Sequence, residues 1–175
     1  MTARPQSGIT LIEMMVGLAV LALVLAIGVP SFSQMVANLR VRATSSSVLS
    51  GLQLARSEAL KLNTNVTWRV DSTTGGKWSV ILPDDSVRDT SASDSPASIT
   101  VSSGDTEFIF NNLGQRTTPP ANIGTVWIDI QNTHAGACEA DGGSVRCLRV
   151  LIPVGGSVRL CDPRVSDDDA RSCTL

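Results

Sequence analysis

Large aromatic side chains are scarce in this sequence: there is no tyrosine, and aromatic residues make up 3% of its 175 positions. A soluble core must therefore be small and built mainly from Val, Ile and Leu, and such a core gains from covalent staples or from partners. Charges of the two signs nearly balance, at a formal net charge of −2. That balance gives no global attraction to nucleic acid or to anionic lipid.

Histidine is scarce as well. The single histidine, His134, lies in the loop sequence NTHAGA, and no G-x-S-x-G or other nucleophile motif lies near it. A lone histidine in a surface loop is most often a residue without a chemical role. The sequence therefore predicts a protein that is not an enzyme and that carries no cofactor.

Cysteine is absent from the first 137 residues, and all four cysteines are clustered beyond that point. An even, clustered set in a chain with a membrane or export segment is typical of two disulfides in an oxidising compartment. Four cysteines allow three connectivities. We prefer the local pairs Cys138–Cys147 and Cys161–Cys173, which would close a Gly-rich loop and fasten the C-terminal segment onto the last strand. The spacing leaves the other two connectivities open.

No metal site is predicted. The cysteines lack the C-x₂₋₄-C spacing of a structural zinc site. The acidic run 167–169, with Asp162 nearby, does not match an EF-hand loop. A run of like charges is more often a solvated surface, and calcium binding by this run stays the alternative.

One long apolar segment stands near the N-terminus. From Ile9 to Val29 the only charged residue is Glu13. A helix over this segment is about 30 Å long, which is enough to cross the core of a bilayer. Arg4 and the initial amino group lie before it, so the positive-inside rule leaves the N-terminus in the cytoplasm and the remainder across the membrane. The cysteines then lie on the oxidising side.

Helical periodicity continues beyond Pro30, which we expect to kink the helix without necessarily ending it. The stop signal is the sequence NTN at 63–65. The pattern predicts one helix of about 54 residues, roughly 80 Å long, with its first half in lipid and its second half on a globular head. The second half carries one apolar stripe, formed by Val41, Val48, Leu52, Ala55, Ala59 and Leu62.

The remainder of the chain reads as short strands separated by turns. A polar stretch at 84–98 is predicted to be an exposed loop. The fold class is therefore α+β, with a long helix laid across a mostly antiparallel sheet. The predicted strands are 66–70, 77–82, 99–101, 107–110, 125–130, 146–152 and 157–161.

The N-terminal stretch GITLIEMMVGLAVLALVLAIGVPSF closely resembles the class III signal of type IV pilins and type II secretion pseudopilins. The resemblance implies that a prepilin peptidase cuts between Gly8 and Ile9 and that the new N-terminus at Ile9 is methylated. Glu13 stands where the family carries its glutamate, and Pro30 matches its helix-kinking proline. Family members usually have Phe where this chain has Ile9.

The same resemblance implies how the chain is divided and where it lies. Residues 1–8 are a cytoplasmic leader, 9–30 a transmembrane and filament-core helix, 31–63 its amphipathic continuation, and 64–175 a β-rich periplasmic head. The protein is expected to span the bacterial inner membrane once before it enters a pilus or pseudopilus filament. Its expected partners are major and minor pilins, the prepilin peptidase/methyltransferase and the inner-membrane assembly platform.

Glu13 is costly in its apolar surroundings, because burial of a lone carboxylate in lipid costs about 2.5–3.5 kcal/mol on insertion scales. In a filament, the N-terminal amine of a neighbouring subunit can pair with this carboxylate and set one axial register. The alternative is a glutamate that reaches the membrane edge and has no further role. We expect the pairing.

Three further stretches resemble the GspH/FimT family of minor pilins and pseudopilins: LQLARSEALKLN, IFNNLGQRT and GSVRLCDPRVSDDDARSC. The paired C-terminal cysteines favour a minor pilin of a type IV pilus, which helps to initiate assembly, forms part of the tip complex and supports twitching motility and adhesion. The alternative is the H-type minor pseudopilin of the type II secretion system. The implied fold is the pilin-like one, with a disulfide-stapled C-terminal region.

A further alternative is a DNA-binding minor pilin in natural transformation. Some family members bind DNA through a G-R-x-R element before a C-terminal cysteine, and here GSVRLC at 156–161 retains Arg159 but has Ser157 in place of the first arginine. Arg164 and Arg171 are the other candidate contacts. Several aspartates crowd the same tail, and phosphate binding needs net positive charge on one face. We therefore expect these arginines to pair with aspartates or to lie in solvent.

Overall fold

A single helix dominates the computed structural model, which describes residues 8–73, 75–91, 98–101, 104–118, 124–132 and 136–174. Helix α1 (Leu11–Leu62) runs without interruption past Pro30. It ends at Asn63, whose backbone is left-handed (φ 53°) and whose N–H donates to the carbonyl of Ala59. Asparagine tolerates this conformation better than most residues. The predicted stop at 63–65 is confirmed.

In the described residues, nine short strands form two separate sheets in which all neighbouring strands are antiparallel. The first sheet has the order β3-β2-β1-β5-β6, and the second has the order β4-β7-β8-β9. The strands are β1 (Val66–Ser72), β2 (Lys77–Ile81), β3 (Val87–Thr90), β4 (Ser98–Val101), β5 (Glu107–Phe110), β6 (Arg116–Thr118), β7 (Val126–Gln131), β8 (Leu148–Ile152) and β9 (Arg159–Cys161).

The α+β class and the long helix on antiparallel strands are confirmed, but the prediction of an exposed loop at 84–98 was wrong in part. Val87–Thr90 is an edge strand whose side chains are all exposed. It carries no alternation of apolar and polar residues, and it is a strand because its backbone pairs with β2. Edge strands lack the two-sided burial that makes a strand visible in sequence.

The core lies where the second half of α1 meets both sheets. The predicted apolar stripe is confirmed for Val41, Val48, Leu52, Ala55 and Ala59, which are buried. Leu62 is 44% exposed, so its assignment to the core was wrong. It lies in the last turn, where the chain leaves the helix at Asn63.

Two tryptophans pack directly against the helix backbone. The ring centroids of Trp68 and Trp78 lie 6.1 Å apart, and Trp68 meets Phe108 edge-on at 5.7 Å. A Cβ atom placed on Gly51 would lie 2.7 Å from the ring of Trp78 and 2.8 Å from Nε1 of Trp68. The absence of a side chain at Gly51 therefore sets how closely β1 and β2 approach the helix.

A buried carboxylate fastens the edge strand to the helix. Glu58 is 6% exposed, and its carboxylate lies 3.3 Å from Nε of Arg88 on β3 and 3.4 Å from Nζ of Lys61. Burial alone would raise the pKa of Glu58, but the hydrogen bonds and charges of Arg88 and Lys61 outweigh it and hold the pKa below its ordinary value of 4.5. The ionised form is thus favoured in the folded state.

We expect the substitution Gly51→Ala to lower the free energy of unfolding by about 1–3 kcal/mol, because the added methyl group overlaps the Trp78 ring. Denaturant unfolding followed by tryptophan fluorescence measures the change. Gly28→Ala is the matched control, since a Cβ there meets nothing within 4 Å. Equal stability of Gly51→Ala and Gly28→Ala would contradict the proposed close approach.

We expect Glu58→Gln to lower the melting temperature at pH 7, with a difference from the natural chain that narrows on acidification. Because the pKa of Glu58 is lowered in the folded state, the ionised carboxylate stabilises the fold at pH values above the ordinary pKa of 4.5. This stabilisation is lost as the pH falls through the lowered pKa. Melting curves between neutral and acid pH test this. The exposed Glu107→Gln serves as a control and should show neither effect. A pH-independent difference at Glu58 would refute the assignment.

Candidate functional site

The segment before α1 is organised by a capping box. Gly8, Ile9 and Thr10 lie outside the helix and are exposed. Oγ1 of Thr10 accepts a hydrogen bond from the backbone N–H of Glu13 (3.3 Å), and Oε2 of Glu13 accepts one from the N–H of Thr10 (3.5 Å). The side chains thus bind two N–H groups of the first turn, of which that of Glu13 also donates to the carbonyl of Thr10 (3.1 Å). The sequence signal of this cap is the T-x-x-E spacing of Thr10 and Glu13.

Glu13 therefore has a local role in the single chain. Its carboxylate lies in the first turn, where negative charge is favoured by the helix dipole. A carboxylate has about four lone-pair sites, and the cap uses one of them. Glu13 is exposed, so a second donor from outside the chain has access to it.

The first half of α1 exposes an unbroken apolar surface. Between Ile9 and Met35 every large apolar side chain is 52 to 79% exposed. In the described part of the chain, α1 is the one helix that is long and apolar enough to cross a membrane by length and composition. Exposed apolar area on this scale marks a membrane or protein contact.

The four cysteines form two disulfides, Cys138–Cys147 and Cys161–Cys173, which are the local pairs preferred above. The first encloses a short 3-10 turn at Glu139–Asp141. The second fastens the C-terminal loop beside β9, where the N–H of Asp162 donates to the carbonyl of Arg171 (2.8 Å). The described residues contain no group of three or more His, Cys, Asp or Glu placed to hold a metal ion. His134 lies outside the described residues.

The three candidate DNA-contacting arginines all have partners within the chain. Arg159 donates to the carbonyl of Thr174. Arg164 lies 2.8 Å from the carboxylate of Glu139. Arg171 forms two hydrogen bonds with Asp169. The hydrogen bonds from Arg171 lower the pKa of Asp169 from 3.8 to about 2.

Two more arginines, Arg146 just before β8 and Arg149 on β8, are also ion-paired. Arg146 lies 2.6 Å from Asp162, and Arg149 lies 2.6 Å from Asp129 while its guanidinium covers the ring of Trp127 at 4.9 Å. With the pairs of Arg164 and Arg171, most of the positive charge that the sequence places in this region is matched by a carboxylate. Pairing with an aspartate, as expected, is found for Arg171, whereas Arg164 pairs with a glutamate and Arg159 with a backbone carbonyl.

A groove of about 640 Å³ lies between α1 and the second sheet, beginning at the end of the exposed apolar half of the helix. Asn38 accepts a hydrogen bond from the backbone N–H of Arg146 (3.0 Å), which joins helix and head at this point. Sequence reasoning missed the groove, because its walls come from distant parts of the chain. The lining residues are Ser31, Gln34, Met35, Asn38, Leu39, Arg42, Arg146, Leu148, Leu160, Cys161, Asp162 and Arg171.

Comparison with known families gives two matches. The family model described as Type II transport protein GspH matches residues 44–156, and the prokaryotic N-terminal methylation motif matches residues 3–29. The second match contains Gly8, Ile9 and Glu13. No match was found among curated proteins.

Among solved structures, the chain is similar to the type IV minor pilin FimU of Pseudomonas aeruginosa, strain PAO1. One crystal form gives a TM-score of 0.53 at 19% identity over 74% of this chain and 93% of FimU, and a second gives 0.53 at 18% over 73% and 98%. The minor pseudopilin EpsH of the Vibrio cholerae type 2 secretion system gives a TM-score of 0.48 at 15% identity over 71% and 98%. The likeness to FimU confirms the pilin-like fold.

The family match covers more than half of the chain, from the second half of α1 through both sheets as far as the turn after β8. The methylation motif covers the exposed N-terminal half of the helix. The two matches together thus cover the exposed first half of the helix and most of the folded head. The chain therefore belongs to the GspH family, described as type II transport proteins, and carries the prokaryotic N-terminal methylation motif.

Proposed function

We propose that the protein is a minor pilin of a type IV pilus, a low-abundance subunit that takes part in initiating pilus assembly and in forming the tip complex. This proposal rests on the difference in exposure between the two halves of α1. One face of its second half is buried against both sheets, while its first half exposes apolar side chains from Leu11 to Met35. A helix exposed in this way needs lipid before assembly and neighbouring helices afterwards.

Processing by a prepilin peptidase fits the segment before the helix. Gly8 and Ile9 are exposed and lie outside regular structure, so the peptide bond between them is accessible. Cleavage there would make Ile9 the new N-terminus, ready for methylation, two residues before the helix begins at Leu11. The proposed location is the inner membrane, with the N-terminus cytoplasmic and the head periplasmic, followed by the filament.

Glu13 is proposed to set the register between subunits. The capping box keeps its carboxylate at the start of the helix and leaves it exposed. In the apolar interior of a filament, an unpaired carboxylate is costly, and the positively charged amine of a neighbour's Ile9 would offset that cost. Only one axial offset between two helices brings the two groups together.

The H-type minor pseudopilin of the type II secretion system is the second candidate function. It is favoured by the family model, which carries the description of a type II transport protein. The similarity to FimU in fold favours the pilus instead, over 93% of the FimU chain. DNA binding has less support, because the arginines Arg159, Arg164 and Arg171 are all engaged within the chain.

We expect a Glu13→Ala variant to insert in the membrane and to be cleaved, but to enter filaments at least about tenfold less well, since the amine loses its counter-charge. Immunoblotting of sheared filaments against whole membranes measures incorporation. Thr10→Ala is the matched control, because it removes the hydroxyl group of the cap and keeps the carboxylate. Normal incorporation of Glu13→Ala would refute the pairing.

We expect deletion of the gene to reduce surface pili and twitching motility while protein secretion stays normal. The reason is that an initiating subunit limits how many filaments begin, whatever their length. Separate assays of twitching zones and of secreted enzyme activity make the distinction. Loss of secretion with normal twitching would identify the pseudopilin alternative instead, and loss of neither would contradict both.

A further inference from the structure

The groove between α1 and the second sheet combines an apolar wall with guanidinium groups. Met35 and Leu39 of the helix are exposed along it, and Arg42, Arg146 and Arg171 line it together with one carboxylate, Asp162. The groove therefore offers an apolar surface next to several guanidinium N–H donors. This combination matches a molecule that has both an apolar chain and an anionic group.

The one carboxylate in the groove is already occupied. Asp162 is buried and accepts hydrogen bonds from Nε of Arg146 (2.8 Å) and from the backbone N–H of Arg164 (3.0 Å). Arg171 pairs with Asp169, which does not line the groove. Each guanidinium has five N–H donors and uses about two on its carboxylate, so donors remain on Arg146 and Arg171.

Arg42 differs from these two because it has no acidic partner among the residues that the structure describes. It is exposed and lies one helical turn beyond Asn38 and Leu39 on the same face. Side chains on a helix lean toward its N-terminus, so the guanidinium of Arg42 extends back toward the apolar half of α1. Its unmatched positive charge faces the side from which a lipid would approach.

The position of the groove relative to a bilayer follows from the helix rise. If Glu13 lies at the cytoplasmic edge, a hydrocarbon core about 30 Å thick extends over about 20 residues and ends near Gln34. The groove residues Ser31 to Arg42 then begin in the outer part of the hydrocarbon and pass through the layer of lipid headgroups. Exposed Phe32 and Met35 fit this depth.

We propose that, while the chain is anchored in the membrane, this groove binds an anionic phospholipid of the periplasmic leaflet, with the phosphate on Arg42, Arg146 and Arg171 and an acyl chain along Met35 and Leu39. The inference rests on the membrane-anchored stage of the proposed function. Guanidinium groups bind phosphate through charge-assisted, often bidentate hydrogen bonds. The lipid would orient the head against the bilayer until the subunit leaves for the filament.

The near-neutral charge of the whole chain does not oppose this local binding. At physiological salt, charges more than about 8 Å apart are largely screened. The attraction therefore depends on the few groups that line the groove. A surface-wide attraction would depend instead on all exposed arginines, and Arg40 distinguishes the two cases because it is exposed, has no acidic partner among the described residues and does not line the groove.

The test uses the full chain in nanodiscs that contain phosphatidylcholine and phosphatidylglycerol in equal amounts. Native mass spectrometry counts the lipids that stay bound to the released protein. We expect the natural chain to retain phosphatidylglycerol in preference, and Arg42→Gln to reduce that retention about tenfold. We expect Arg40→Gln to retain it as the natural chain does. Inorganic phosphate in the buffer should not displace the lipid.

Equal retention of the two lipids by the inserted natural chain would overturn this inference alone. Equal losses of phosphatidylglycerol retention in Arg40→Gln and Arg42→Gln would overturn it too, since they would show a non-specific surface charge effect. Displacement of the lipid by inorganic phosphate would also overturn it, because it would indicate a site for the free anion. A natural chain that fails to insert would overturn the membrane-anchored stage as well. A groove closed by a second pilin subunit would appear as protein dimers without bound lipid, which also contradicts the lipid proposal.

Discussion

The burial of the second half of α1 is the interaction on which the rest of the structure depends. Strands of both sheets contact this part of the helix, and its small and β-branched residues, such as Val48 and Ala55, are fully buried. Two sheets with so few aromatic residues have little core of their own. The helix therefore serves as the shared core element, and Gly51 sets how closely the tryptophans of β1 and β2 approach it.

The first half of α1 is exposed and its second half is packed in the head, and this difference links the fold to the proposed assembly. Beyond Asn38 the helix belongs to a folded head, whereas before it the apolar surface is open to lipid or to other helices. The groove lies where the exposed half of the helix meets the half that packs in the head. In the proposed function, the subunit moves from membrane to filament, and the first half of the helix exchanges its partners while the head stays intact. The two disulfides stabilise the head.

Sequence reasoning succeeded where the signal is local and repeated. The long helix, its end at Asn63 and the buried stripe from Val41 to Ala59 follow from periodicity and stop signals. The same reasoning overlooked the edge strand β3, which has no buried face, and it placed Leu62 in the core because periodicity does not show where the head ends. It also predicted one sheet, whereas the described strands form two, since strand order depends on non-local pairing.

By itself, the sequence determined the segment that carries the methylation motif, the apolar half of the helix, the position of Glu13 and the α+β class, because these depend on short-range order along the chain. Only the tertiary structure decided which of the described arginines meet a carboxylate and which, such as Arg42, have none among the described residues. It also decided that Arg42 and Arg146, distant in sequence, line a single groove. The physical reason is that ion pairs and grooves form between segments whose approach is set by core packing, and no residue pattern along the chain records that approach.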